Sequence, residues 1–374
     1  MATEGQQSNQ ATLESSLIGL AAQYIDSPLP SLRLTRVTGD ASTRCYFRVR
    51  EPESGASVIL ALYDRQFDGC EPARSRLARL EQLDPSARLT FANDPCAHVE
   101  TTGLLRDHGL PAPAVLGVFG PERVVVMEDV GDTRLQDWLA HHNRRDVTTE
   151  YRRALAMVVT IQELTGQVID SPSICSELAF DEAKLGWELE FFLTNYFGQY
   201  LNGGLAEADA AAIREDFGDL CDRLARRPRV LVHRDYHARN LMIRGDEMFI
   251  IDHQDARMGP ASYDVTSLLN DPYAPLDSGV KADLLAFFLD AKARSSLRLP
   301  DGFEEEFELM TVQRMLKAVG TYAFQCAVKK NDVYVPYIQP ALESALRSID
   351  ALGCFPRTRR VLERNLGATE AHQT

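Results

Sequence analysis

His233-Arg234-Asp235-Tyr236-His237-Ala238-Arg239-Asn240, followed by Ile250-Ile251-Asp252, decides how this 374-residue chain is read. Asp235 and Asn240 lie five residues apart, and Asp252 follows twelve later at the end of an apolar run. This is how a phosphoryl-transfer site presents a base, a metal-binding amide and a metal-binding carboxylate. Such chemistry asks for a carboxylate that orients a hydroxyl and for Mg²⁺ held where charge builds up on the phosphates. Asp235 is the expected catalytic residue, and Asn240 and Asp252 offer the hard oxygens that Mg²⁺ prefers.

Two other readings compete. His233, Asp235 and His237 alternate, so an extended strand would turn all three to one face, as a zinc site requires. The remaining histidines (His98, His108, His141, His142, His253 and His372) form no ligand set at matching spacing. A merely structural polar turn leaves Asn240 and Asp252 unexplained, because polar groups buried beside apolar strands need partners. His233 is expected to brace the loop by hydrogen bonds. His237 and Arg239 either stabilise the transferring phosphoryl group or hold the loop.

Upstream of the loop, residues 1–11 read as a disordered tail and 12–26 as a helix, from Leu13, Leu17, Leu20, Ala21 and Tyr24. Residues 31–63 alternate and turn as an antiparallel meander, helices are expected near 71–83 and 96–108, and strands near 114–119 and 123–127. After Gly131 the pattern is mainly helical, interrupted by a strand at Val230–Val232 and a hairpin around Gly245-Asp246. The expected fold class is α+β: an N-terminal nucleotide-binding lobe over 12–130 and a C-terminal catalytic and substrate lobe over 131–374, with a small-molecule cleft between them.

The formal net charge of −14, with no dense basic cluster, argues against a nucleic-acid partner. No apolar run approaches the ~20 residues that span a bilayer. The seven cysteines are scattered without a Cys-x-x-Cys pair, which reads as free thiols in a cytoplasmic protein.

Gly39-Asp40-Ala41-Ser42-Thr43-Arg44 lies between two expected strands. A loop of glycine and small residues there brings backbone N–H groups to phosphates. Ser42 can donate to a phosphate, and Arg44 or Arg48 can supply charge. Met127-Glu128-Asp129-Val130 ends a strand at the lobe boundary, where backbone groups would meet an adenine edge while the two acidic side chains brace or face solvent.

These residues resemble the aminoglycoside phosphotransferase family, which has a protein-kinase-like two-lobe fold with a small antiparallel-sheet N-lobe and a larger, mainly helical C-lobe. The matching pieces are His233-x-Asp235-x-His237-x-x-Asn240, Ile251-Asp252, Met127-Glu128-Asp129, and Gly259-Pro260 with Tyr263-Asp264. Within it, Gly39 to Arg48, His233 to Met242, Ile251 to Ala256 and Ser267-Leu268-Leu269 resemble the bacterial N-acetylmuramate/N-acetylglucosamine anomeric kinases. The resemblance covers about 31–340. It implies ATP as phosphoryl donor and Mg²⁺ as cofactor. It also implies Asp235 as base, Asn240 and Asp252 as metal ligands, and a nucleotide site of Gly39, Asp40, Ala41, Ser42, Arg44, Met127, Glu128 and Val130. Asp264 would start a helix and fix the catalytic region.

The chain departs from that pattern in one respect. Val58-Ile59-Leu60-Ala61-Leu62-Tyr63 lacks the lysine that many kinases of this fold place on the third strand, paired with a helix glutamate. Arg44, Arg48 and Arg65 are the candidates to replace it, and Glu100 is the candidate helix glutamate. On the substrate side the candidates are His237, Arg239, Arg257 and Tyr273, the two arginines for a sugar carboxylate and the tyrosine for a sugar face. The implied activity is phosphorylation of the C1 hydroxyl of N-acetylmuramate or N-acetylglucosamine in peptidoglycan recycling. A kinase for another small alcohol or an aminoglycoside, and a pseudokinase that binds nucleotide without turnover, are the alternatives. The sequence leaves the oligomeric state open.

Overall fold

The computed structural model describes residues 2–37, 44–64, 66–67, 71–84, 86–90, 94–171 and 173–371. Helix α1 (Ala2–Ala21) leads into strands β1 (Arg33–Val37), β2 (Cys45–Arg50) and β3 (Ser57–Leu62). Helices α2 (Ala73–Leu83), α3 (Ala87–Thr90) and α4 (Pro95–Asp107) follow, then β4 (Val115–Phe119) and β5 (Val124–Glu128). The five strands form one antiparallel sheet in the order β1-β2-β3-β5-β4. Successive side chains on a strand face opposite ways, and the sequence exploits this. Val58, Leu60, Val124 and Val126 pack on Leu17, Ala21 and Ile25, at the α1 end of the lobe. Ala61, Val125 and Met127, with Ile59 and Tyr46, form a separate cluster with Val99 of α4.

The second lobe begins with α5 (Leu135–Leu139), α6 (Arg144–Glu163), α7 (Thr165–Asp170), α8 (Ile174–Glu177) and α9 (Glu182–Phe192), which widens into a π-helical stretch over Leu193–Tyr200. After α10 (Glu207–Ala225) come β6 (Arg229–Val232), β7 (Leu241–Arg244), β8 (Glu247–Ile250) and β9 (Arg257–Pro260), paired antiparallel as β6 with β9 and β7 with β8. The chain ends with α11 (Tyr263–Leu269), α12 (Ser278–Arg294), α13 (Phe303–Ala327), a 3-10 turn at Asp332–Tyr337, α14 (Ile338–Leu352) and α15 (Pro356–Ala371).

Helix α13 is the axis of this lobe. Most of its length is buried, from Phe303 to Cys326. It packs on α9, the π-helical stretch, α11 and α14. Gly320 permits the approach to α9: a Cβ there would stand 2.7 Å from the Phe192 Cα and 3.0 Å from its backbone nitrogen.

Several expectations change. The helix expected from residue 12 starts at Ala2, so residues 2–11 of the expected tail are helical, in keeping with their Ala, Glu and Gln content. The helical pattern that follows Gly131 is broken at Leu164, which is both the last cap of α6 and the first of α7. Strand β9 escaped the sequence reading because four residues ending in Gly-Pro carry no alternation signal. Among the described residues Cys45, Cys96, Cys175, Cys221, Cys326 and Cys354 are free thiols, and no helix is long and apolar enough to cross a membrane.

Gly320→Val is expected to lower the unfolding free energy by about 1–3 kcal/mol or more, because the new side chain meets backbone that cannot yield. Urea denaturation of the two proteins measures it; an unchanged midpoint would show that α13 and α9 are not locked at this point.

Candidate active site

The loop between β6 and β7 is held by carboxylates that act on its backbone. Asp264, at the start of α11, accepts hydrogen bonds from the His233 N–H at 2.7 Å and the Arg234 N–H at 3.0 Å. Arg234 has a φ of 88°, a left-handed conformation costly for a non-glycine residue unless its surroundings impose it. Asp271 does the same further along, accepting from the Ala238 N–H at 2.8 Å and the Tyr273 N–H at 2.9 Å. Burial pushes both carboxyl groups up, Asp271 to about 6, against the hydrogen bonds that pull the other way. Nε2 of His233 lies 3.0 Å from the Ile251 carbonyl, which ties the loop to the strand before Asp252. Tyr236 points inward, its hydroxyl donating to the Ala154 carbonyl of α6 at 2.9 Å.

Asp235, Asn240 and Asp252 come together. The Asn240 Nδ2 donates to the Asp235 carbonyl at 2.9 Å and approaches the Asp252 carboxylate at 3.5 Å. That leaves the Asn240 amide oxygen available as a ligand. Asp252 has a φ of 60°, and its Oδ1 accepts from Gln254 at 2.8 Å and from Arg44 at 3.3 Å. Burial would raise its carboxyl; Arg44 and the Gln254 hydrogen bond lower it below the usual range. The oxygen atoms of Asn240 and Asp252 suit a hard divalent cation that draws its other ligands from phosphates and water, the usual mode for Mg²⁺. Among the described residues no group of three or more His, Cys, Asp or Glu could hold a metal, which disfavours the zinc reading.

The surroundings of Asp235 were not visible in the sequence. Lys317 donates to its Oδ1 at 2.8 Å and Arg314 to the same oxygen at 3.0 Å, while Arg234 stands 3.6 Å from Oδ2. Burial opposes ionisation, and these three charges overcome it and hold the Asp235 carboxyl well below the usual carboxylate range. Arg314 and Lys317 are three residues apart on α13, so they project from one face of the helix. Two cations at helical spacing inside the apolar stretch Leu309–Val319 are the signal that marks them in the sequence.

A cleft of about 380 Å³ lies between the lobes. Val37, Tyr46 and Ile59 line it from the sheet, Met242 and Ile251 from the second lobe, and Met127 to Asp132 where the lobes join; Asn240 and Asp252 also border it. An apolar slot bounded by polar strand-end backbone accommodates a planar heterocycle. Glu128 and Asp129 brace its edge: Glu128 accepts from the Ala114 N–H at 3.1 Å and pairs with Arg244 at 2.8 Å, and Asp129 binds Arg48 at 2.6 Å and Ser57 at 2.7 Å. Arg48 is thereby committed to Asp129 and to Asp132. Glu100 does not face a strand lysine; it pairs with Arg76 of α2 at 2.6 Å, and Arg76 also binds Asp94. Arg44 reaches Asp252 from the edge of the sheet, leaving it the described candidate for gripping phosphates. Gly39, Asp40, Ala41 and Ser42, and Arg65, lie outside the described residues. Beneath the cleft His253 lies 2.7 Å from the Thr102 hydroxyl and His98 lies 3.3 Å from that of Tyr63. Burial lowers both imidazoles, His253 to about 3, so each is neutral.

The four substrate-side candidates divide. His237 and Tyr273 meet edge to face at 5.3 Å, and burial lowers the His237 imidazole to about 3, so it too is neutral. Arg257, expected to meet a substrate carboxylate, is 0% exposed, with Phe180 packed 5.3 Å from its guanidinium; a ligand in the cleft cannot reach it. Arg239 is also committed. It stacks 3.9 Å over Tyr273, donates to Gln136 at 2.9 Å and to the Tyr337 hydroxyl at 3.3 Å, and so ties α5 to the 3-10 turn instead of presenting a free cation.

Residues 33–299 match the model of the phosphotransferase enzyme family, and the chain belongs to that family. A Pseudomonas aeruginosa protein named N-acetylmuramate/N-acetylglucosamine kinase is 31% identical over 236 residues, 61% of this chain and 65% of that protein, so the match spans just under two thirds of its length. A Pseudomonas putida protein of the same name is 28% identical over 304 residues, 80% of this chain and 78% of that one. The fold is that of solved kinases. Aminoglycoside phosphotransferase APH(2'')-Ib, bound to ADP, superposes with a TM-score of 0.56 at 14% identity, covering 89% of this chain and 97% of its own. Choline kinase from Cryptosporidium parvum superposes with a TM-score of 0.58 at 12% identity, covering 94% and 97%. The expected two-lobe, kinase-like fold and family are both borne out.

Asp264→Ala would strand the His233 and Arg234 amides in a buried setting, at a cost of roughly 1–3 kcal/mol for each unpaired donor. Chemical denaturation measures it. Stability within 0.5 kcal/mol of the parent protein (about the spread of ordinary surface substitutions) would show that the loop does not depend on this carboxylate.

Proposed function

We propose that this member of the phosphotransferase enzyme family is an ATP- and Mg²⁺-dependent sugar kinase that phosphorylates the anomeric C1 hydroxyl of N-acetylmuramate, N-acetylglucosamine or both. Such an enzyme serves peptidoglycan recycling in the cytoplasm. The observation that carries the reading is the meeting of Asp235, Asn240 and Asp252 beside an apolar slot fit for a nucleotide base. The two Pseudomonas relatives support the choice of acceptor.

In this mechanism the adenine lies between Ile59 and Met242, against Met127 to Val130, and the phosphates run toward Asn240 and Asp252. When bound by the Asn240 amide oxygen and the Asp252 carboxylate, Mg²⁺ neutralises charge on the phosphate oxygens. Arg44 leaves Asp252 for the phosphates and replaces the absent strand lysine. Asp235 accepts a hydrogen bond from the C1 hydroxyl and aims its oxygen at the γ-phosphorus. The new O–P bond forms as the bond from the γ-phosphorus to the bridging oxygen breaks, ADP departs, and the hydroxyl proton leaves by way of Asp235. A carboxylate held so far below neutrality is a weak base, which a loose transition state tolerates because alignment matters more than early deprotonation. His237 and Tyr273 present a neutral imidazole and an aromatic ring to the sugar.

Phosphorus NMR of reactions with ATP, Mg²⁺ and a panel of sugars tests this reading. The expected product is a sugar 1-phosphate, with turnover about 10²–10⁴-fold lower in Asp235→Asn. Phosphorylation of another hydroxyl, a requirement for zinc, or nucleotide binding without turnover of any acceptor would sink it.

The Asp235 electrostatics add a pH prediction with a definite sign. The ionised carboxylate is the active form, so activity is lost only as pH falls through its depressed pKa. Lys317→Met removes one stabilising charge, raises that pKa toward the ordinary range, and moves the acid limb of kcat/KM to higher pH. An acid limb at the same pH in both proteins would refute the assignment of Lys317 as a charge partner of the base.

A further inference from the structure

Glu188 of α9 is a buried carboxylate with no part in the mechanism above. It is 2% exposed, and Lys184, 1% exposed, pairs with it at 3.1 Å and also donates to the Leu89 carbonyl of α3 at 2.6 Å. A buried ion pair is a poor source of stability, because desolvation offsets the attraction and apolar side chains of the same volume often do as well. What sets Glu188 apart is the helix it faces. Gln313 of α13 donates to its Oε2 at 3.0 Å, and further along α13 Gly320 lies against the backbone of Phe192, four residues after Glu188 on α9. Lys317 stands four residues after Gln313 and three before Gly320, spacings that place all three on one face of the helix. Lys317 therefore leaves α13 on the side of α9 that carries Glu188, and its Nζ reaches Asp235 Oδ1 at 2.8 Å. The Glu188 charge acts on Lys317, and also on Arg234, Arg257 and Arg314.

Lys317 thus serves two carboxylates, Asp235 at its tip and Glu188 from the α9 side. Burial, Arg314 and Arg234 work against its charge, and Asp235 and Glu188 support it. During the proposed transfer Asp235 takes up the acceptor proton and loses its negative charge. Lys317 and Arg314, both at Oδ1, then lose their counter-charge in front, which opposes the transfer. Glu188 stays ionised throughout: burial would raise its carboxyl, but Lys184, Lys317 and Arg234 hold it at about 2. We infer that Glu188 is a positioning residue for phosphoryl transfer, which holds Lys317 as a charged donor to Asp235 and supplies the counter-charge that remains when Asp235 is protonated. The inference rests on the proposed phosphoryl transfer. In this role Glu188 touches neither nucleotide nor acceptor and works through Lys317.

A double-mutant cycle with a spectroscopic arm tests this. Glu188→Gln keeps an oxygen for Gln313 and removes only the charge. It is expected to lower kcat about 10-fold on the acceptor that the parent protein turns over, with KM for ATP and acceptor unchanged, and Glu188→Asp to recover part of the loss. In a Lys317→Met background the same Glu188→Gln change is expected to lower kcat about twofold or less, because the lysine that carries its effect is gone. Lys184→Met combined with Glu188→Gln removes the ammonium that the single change strands, and it takes the place of the single variant if that one unfolds. The chain has six lysines, so the Cε resonances of lysine-labelled protein follow Lys317 without any acceptor. Lys317 is expected to lose its proton at lower pH in Glu188→Gln than in the parent protein, since an opposite charge that favoured the ammonium has been removed. An equal loss of kcat in both backgrounds, a loss confined to KM, or a Lys317 titration unmoved by Glu188→Gln would each overturn the inference. Failure of the sugar-kinase reading shows instead in the parent protein, as turnover of a different acceptor, and the cycle run on that acceptor still decides the role of Glu188.

Discussion

The Asp264 carboxylate accepts two backbone N–H groups from the start of the catalytic loop, and the rest of the site depends on that clamp. A buried amide must find a partner, and an Arg234 with positive φ must be held there by its surroundings. By meeting both needs, Asp264 sets the direction in which the chain leaves β6. Asp271 meets the same need at Ala238. Between these two fixed points Asp235 projects toward α13, and just beyond the second Asn240 projects toward Asp252.

That direction explains the electrostatics. Asp235 is delivered to a helix face carrying Arg314 and Lys317, and the field of those cations keeps it ionised in a setting whose burial opposes charge. The family fold thus supplies the loop, while α13 supplies the charge environment of Asp235. Gly320, six residues further along α13 than Arg314, allows the close packing against α9 that holds α13 in place. The ionisation of Asp235 and the packing of the lobe are therefore properties of one helix.

The lobes are joined by apolar packing, with Ala73, Leu77, Ala97, Leu105, Leu110 and Ala112 of the first in one buried cluster with the second, and by polar contacts. Arg48 and Ser57 bind Asp129 where the lobes meet, Arg244 reaches back to Glu128, Thr102 meets His253, and Arg44 crosses to Asp252. Without a lysine on β3, the positive charge on the N-lobe side comes from Arg44, and Glu100 is diverted to Arg76. The cleft keeps an opposed pair of charges, Arg44 and Asp252, even though the usual pair is missing.

Local pattern in the sequence determined what local pattern can encode. Alternation and short apolar runs between turns marked the five strands of the first lobe, helical periodicity marked the long helices, and the spacing of Asp235, Asn240 and Asp252 marked the loop chemistry. These signals are legible because strand period, helix period and loop spacing each depend on residues close together in the chain. Arg257 and Arg239 show the limit. Both lie near the motif and look available, yet β9 buries one and a tyrosine cluster occupies the other. Arg314 and Lys317 stand 79 and 82 residues from Asp235, and nothing local marks them as its partners. Only the tertiary structure decided which cations face the base, because charges interact through space and the fold alone sets those distances.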